Sequence, residues 1–304
     1  MRVGGLLAVV LGLALAGCMP SPPPPGTAAG PAEPERPVDR DRAQLWWVPV
    51  RPYLDTSATY LLETMVYRPP GPGPFPLVSI NHGLPVDKTR LRATRPGFES
   101  AAHWWVERGY AVAVPLRRGF GRSQGELAET AGFCDAEDFD TDAYIAAGDI
   151  KGVIRYLAAE PFVDPHRIVI VGQSVGGFAS LAVAADPPEG VVAVIDFAGG
   201  IGGYGNNEIC GGQKTLIEAA RRLGERAKLP ELWLFATNDR WFGRVAKPMF
   251  AAYRAGTKAP IDFVELPPFE FDGHATLYRA DPEIWASAVS AFLDTVPALA
   301  KPAR

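Results

Sequence analysis

The stretch Gly172-Gln173-Ser174-Val175-Gly176 constrains this chain more than any other. It follows the β-branched run Arg167-Ile168-Val169-Ile170-Val171 and precedes Gly177-Phe178-Ala179-Ser180-Leu181-Ala182, which reads as helix. Strand, sharp turn and helix in that order place Ser174 on a strained corner. The residues two before and two after it must let neighbouring backbone come close, a need that Gly172 and Gly176 meet. A helix that starts directly after Ser174 also aims its free N–H groups at any oxyanion formed beside the hydroxyl. With 32 glycines in 304 residues the string alone is weak; its setting between strand and helix gives it weight.

Around this corner the sequence alternates. Strands are expected at residues 59–68, 77–80, 111–114, 191–197, 232–236 and 261–266. Helices are expected at residues 97–108, 141–159, 213–227, 245–255 and 282–296. In the helix at 141–159, Ala147, Ile150, Ile154 and Leu157 share one face. Regular alternation of this kind predicts an α/β fold, a mainly parallel sheet with helices on both faces, in which reactive groups gather at the carboxyl ends of strands.

A serine hydroxyl needs a base. Of four histidines, His274 lies in the loop after the last expected strand. His166 lies at the opposite end of the elbow strand, and His103 sits in a helical stretch beside Trp104 and Trp105, where packing is expected. The base in turn needs a carboxylate to fix its tautomer. Asp239, at the end of the strand between elbow and histidine, is the candidate, with Asp196 as its rival. Asp272 stands too near His274 in sequence to reach around the ring. Two backbone donors complete such a site. One is the N–H of Val175; the second is that of Leu84, in the loop Asn81-His82-Gly83-Leu84-Pro85, where proline has no N–H to give. His82 is expected either to orient this loop by a side-chain bond or simply to pack.

These residues resemble those of the α/β-hydrolases, in particular the dienelactone hydrolase-like and prolyl-oligopeptidase-like branches, over roughly residues 55–296. The segment Arg117-Arg118-Gly119-Phe120-Gly121-Arg122-Ser123 is similar to a loop of the peptidase and cocaine-esterase-like branches. The resemblance implies acyl transfer to water through an acyl-enzyme on Ser174, with His274 moving the proton and no metal or organic cofactor. Dienelactone hydrolases proper carry cysteine at the nucleophile, so Ser174 argues against that substrate. The expected activity is that of a carboxylesterase-like serine hydrolase acting on a small-molecule ester. A peptidase or amidase and a catalytically inactive binding lipoprotein are the alternatives.

Residues 1–17 have the form of an export signal, and Leu15-Ala16-Gly17-Cys18 resembles the lipobox of bacterial lipoproteins. That resemblance implies lipidation of Cys18, a membrane anchor and, because Met19 is not aspartate, the periplasmic face of the outer membrane. Residues 18–40 are rich in proline and read as a tether, whose stretch from Pro20 to Pro37 is able at about 3.1 Å per residue to reach roughly 50 Å. Residues 41–304 are read as the hydrolase domain. Without residues 1–17 the chain carries 29 basic and 34 acidic groups, with no basic cluster for nucleic acid. Oligomeric state is not encoded in any of these features.

Export leaves Cys134 and Cys210 as an even pair in an oxidising compartment, and a disulfide between them is expected, with free buried thiols as the alternative. They lie in two insertions, residues 120–140 and 199–212, that are expected to shape the substrate pocket. The acidic residues Asp135, Glu137, Asp138, Asp140 and Asp142 lack the spacing of a calcium loop and read as a solvated loop running into a helix N-terminus.

Overall fold

Eight strands form one sheet in the computed structural model. It describes residues 43–51, 57–85, 87–127 and 138–300. The expected signal, Cys18, the tether and Cys134 all lie outside the described residues. So do Asp135 and Glu137. The described residues fall within one compact unit, Ala32–Arg304.

The antiparallel edge comprises β1 (Gln44–Val50) and β2 (Tyr60–Tyr67), which also pairs antiparallel with β4 (Ala111–Pro115). From β4 onward every neighbour is parallel: β3 (Phe75–Asn81), β5 (Val163–Gln173), β6 (Val191–Phe197), β9 (Glu231–Ala236) and β10 (Ile261–Leu266). Parallel strands are buried on both faces, and the two-residue period sorts their side chains cleanly. Ile168 and Ile170 enter one core; Val169 and Val171 enter the other.

The first core is closed by α2 (Phe139–Leu157), α3 (Val175–Ala185), α4 (Gln213–Gly224) and α5 (Gly243–Gly256). The second is closed by α1 (Glu99–Glu107), the short α6 (Thr276–Arg279) and α7 (Glu283–Thr295). The four residues expected to share a face of α2 are all buried. Asp138 caps that helix by accepting from the Thr141 N–H at 3.2 Å, and Asp140 pairs with Arg222. The short α6, β1 and one hairpin lie outside the expected strands and helices. β1 carries Pro49, which argues against an inner strand but is tolerated at a sheet edge, where β1 lies. A small hairpin, β7 (Gly203–Gly205) and β8 (Glu208–Ile209), stands in the insertion read as glycine-rich loop. Asn206 and Asn207, with φ of 51° and 61°, supply the left-handed pair that turns a tight hairpin. Among the described residues no helix is long and apolar enough to cross a membrane.

Candidate active site

Ser174 has φ 58° and ψ −124°, a conformation that L-residues avoid. It persists because the surroundings fix it. The Ser174 N–H donates to the Phe197 carbonyl at 3.0 Å, and the Ser174 carbonyl accepts from Phe178 and Gly200. A Cβ on Gly176 would lie 2.2 Å from the Asn81 carbonyl oxygen, so the corner presses directly on the end of β3. A Cβ on Gly83 would come within 2.8 Å of the Ser174 Cβ, which places the loop after β3 against the nucleophile. Leu84 and Val175 both line the cavity above it, and neither N–H is engaged by another group among the described residues.

His82 and Arg117 lock that loop. The Arg117 backbone N–H donates to His82 Nε2 at 3.1 Å, so the ring proton sits on Nδ1 and is donated to the Gly83 carbonyl at 2.7 Å. The Arg117 guanidinium, itself buried, donates to the His82 carbonyl at 2.6 Å. Burial first, and the Arg117 charge second, hold His82 well below its usual pKa, and hence neutral. The Arg117–Ser123 segment is thus a brace. Ser123 Oγ joins the Leu116 carbonyl to the Glu63 N–H, and Arg118 is anchored on Asp149.

Asp239 and His274 meet as the order of the chain predicts. Asp239, in the turn after β9, has a fully buried carboxylate. Its Oδ1 accepts from the Trp241 and Phe242 N–H groups at 2.7 and 3.0 Å, and its Oδ2 accepts from His274 Nδ1 at 3.1 Å. A carboxylate can only accept, so Nδ1 carries the proton and Nε2 keeps its lone pair. The imidazole lines the same cavity as Ser174. Trp241 stacks on it at 5.4 Å between centroids, and Phe242 leans against it at 5.6 Å.

Two further residues hold the base loop, and sequence reading assigned neither that part. Asp272 cannot serve the ring; it accepts instead from the backbone N–H groups of His274 and Arg240 and from the Trp241 indole, at 3.0, 3.1 and 3.0 Å. It ties the acid loop to the base loop. Gln173, next to the nucleophile, donates from Nε2 to the His274 carbonyl at 2.9 Å, across 101 positions of sequence. His103 packs edge-on against Tyr67, and His166 is exposed.

Asp196 makes no bond to the histidine. It lies fully buried at the end of β6, hemmed in by Gly177 and Gly199, and the Gly199 N–H nearby is too poorly aligned to make a well-formed hydrogen bond to its carboxyl. Burial, then the nearby Glu231, push its pKa well above the ordinary carboxyl value, which favours the neutral form. Burial likewise raises Glu231 to about 7, against bonds from Tyr253 and Trp233 that lower it. The folded state therefore binds this proton more tightly than the unfolded chain. The stability it contributes is complete below the ordinary value of 4.5 and is lost as pH rises through about 7. Glu231→Gln should accordingly gain about 3 kcal/mol over the parent at pH 8.5 relative to pH 5. Denaturant melts at both pH values check this, and an equal difference at the two would refute it.

The cavity over Ser174 measures about 850 Å³. Its walls include Leu84, Val175, Trp241 and Phe242, and Cys210 reaches it from the β8 side.

Comparison with known proteins agrees with this architecture. The sequence model of the X-Pro dipeptidyl-peptidase (S15) family matches residues 59–220, just over half of the chain. The quorum-quenching protein AidA of Acinetobacter baumannii is 32% identical over 121 residues; the match takes in 40% of this chain and only 34% of that protein, about a third of its length. Among solved structures, an acetyl xylan esterase from Paenibacillus sp. R4 superposes with a TM-score of 0.60 at 13% identity, covering 86% of this chain and 87% of that one. A dienelactone hydrolase from Anabaena variabilis gives 0.52 at 18% identity, covering 82% and 95%. The fold is that of the α/β-hydrolases.

Proposed function

The chain belongs to the X-Pro dipeptidyl-peptidase (S15) family of serine hydrolases, and on that premise we propose that it is a carboxylesterase-like enzyme working through an acyl-enzyme. Ser174 attacks the ester carbonyl, His274 takes the hydroxyl proton at Nε2 and returns it to the departing alcohol, and Asp239 holds the imidazole. The N–H groups of Leu84 and Val175 receive the oxyanion. Water then repeats the sequence on the acyl-enzyme and frees Ser174. The observation that carries this reading is the His274–Asp239 bond on a ring facing the cavity of a strained serine.

Ester rather than peptide cleavage is supported by the carboxylates around the cavity. Release of an N-terminal dipeptide calls for an unspent acid to hold the substrate ammonium. Among the described residues lining the cavity, Asp272 is committed to three donors and Glu270 pairs with Arg279 at 3.0 Å. A panel of aliphatic esters beside X-Pro anilides decides the matter. The ester reading predicts at least about a hundredfold higher kcat/KM on the esters; a preference for the anilides would establish the peptidase instead.

Two features beside the catalytic residues belong to the same proposal. A Cys134–Cys210 disulfide would fasten the two insertions at the rim together, a reading supported by Cys210 being bonded through its sulfur. Lipidation of Cys18 would tether the enzyme at the periplasmic face of the outer membrane. Intact mass of membrane-extracted protein, before and after reduction and alkylation, tests both. An unmodified N-terminus removes the anchor, and alkylation of both rim cysteines without reductant removes the disulfide.

A further inference from the structure

Three large apolar side chains stand in solvent among the described residues: Tyr204, Phe271 and Tyr278, exposed to 60, 80 and 56%. Single exposed aromatics are ordinary, but these three all line the cavity that holds Ser174 and His274. Two of them, Phe271 and Tyr278, have neighbours that fix the ring. The Arg240 guanidinium lies 4.2 Å from the centre of the Phe271 ring and also donates to Asn206 at 2.9 Å, which ties that ring to the hairpin carrying Tyr204. Tyr278 meets Phe98 at 5.3 Å with the two rings nearly perpendicular and turns its Cε2 edge to Gly97, where a Cβ would come within 2.6 Å of the ring. Phe271 and Tyr278 are thus braced on one side while most of each ring stays exposed beside the cavity.

Which part of a substrate they meet follows from the chemistry. The base returns its proton to the leaving group, so the departing alcohol must sit beside His274 Nε2. Around that imidazole stand Trp241 and Phe242, with Phe271 three residues before it and Tyr278 four after. Of the charges at this rim, Glu270 and Arg279 neutralise each other, and the Arg240 guanidinium is engaged by the Phe271 ring and Asn206. Resting on the roles given above to Ser174 and His274, we propose that the ester's leaving group is a bulky, uncharged aromatic alcohol, received by Trp241 and the exposed rings of Phe271 and Tyr278. The acyl carbon–oxygen bond to this alcohol breaks as the bond to Ser174 Oγ forms, and the serine proton leaves with the alcohol.

Ethyl, benzyl and 2-naphthylmethyl acetate share one acyl group and differ in alcohol, and they test the proposal in the intact enzyme. We expect kcat/KM to rise at least about tenfold from the first to the last. Phe271→Ser and Tyr278→Ser, both at exposed positions, should each lower the naphthylmethyl-to-ethyl ratio by about fivefold or more. A flat series overturns the proposal. So does a ratio that neither substitution moves, or an equal rise when the acyl group is enlarged instead; all three leave the serine mechanism standing. Failure to cleave any ester, with no phosphonate adduct on Ser174, removes the mechanism and the proposal together.

Discussion

Ser174→Ala should lower kcat/KM for ester hydrolysis by about 10⁵-fold or more, the largest effect any single substitution can have here. The hydroxyl is the group that forms the acyl-enzyme, and no neighbouring side chain replaces it. Of its neighbours in the cavity, Gln173 is bonded to the His274 carbonyl, and Val175 and Leu84 offer only backbone N–H groups. Alanine keeps the backbone bonds of residue 174 to Phe197, Phe178 and Gly200, so the corner stays folded. Activity and stability should therefore separate. The melting temperature should stay close to that of the parent while turnover collapses toward what the oxyanion donors alone provide, about 10³-fold over water. Retention of a tenth of the activity in a folded Ser174→Ala protein would remove residue 174 from the mechanism.

The second largest effect is expected at Asp239. Asn in its place can still accept from Trp241 and Phe242, so the loop keeps its shape, but the amide no longer takes the Nδ1 proton of His274. The imidazole then shifts to the tautomer that presents N–H, rather than a lone pair, to the serine, and kcat should fall about 10⁴-fold. Asp196→Asn provides the contrast. That carboxyl makes no bond to the ring and its burial favours the neutral form, so an uncharged amide of the same shape should hold kcat within about threefold. Kinetics on the two proteins side by side decide between the two acids. A collapse in Asp196→Asn with near-normal turnover in Asp239→Asn would reverse the assignment.

Much of this was legible in the chain because it is written in local patterns. The elbow announces itself through β-branched residues, two glycines and a helix. Strands β6 and β10 are bounded where the runs Val191–Phe197 and Ile261–Leu266, rich in β-branched and aromatic residues, begin and end. Asp239 and His274 were found because a parallel sheet brings successive strand ends to one edge. What escaped depends on contacts distant in sequence or on permissive contexts. Pro49 hides β1 unless the strand is known to be an edge. The Asn206-Asn207 pair marks a hairpin only once the surrounding glycines are seen to pair. Asp272 was set aside because it cannot reach the imidazole, yet its oxygens act on backbone and indole N–H groups instead. The bond from Gln173 to the His274 carbonyl joins two loops that no local signal connects.

The most direct test of the account is the reaction of the intact protein with a fluorophosphonate, followed by intact mass and peptide mapping. A single adduct on Ser174 is predicted, absent in Ser174→Ala and formed far more slowly in Asp239→Asn. No adduct, or one on a different residue, would contradict it.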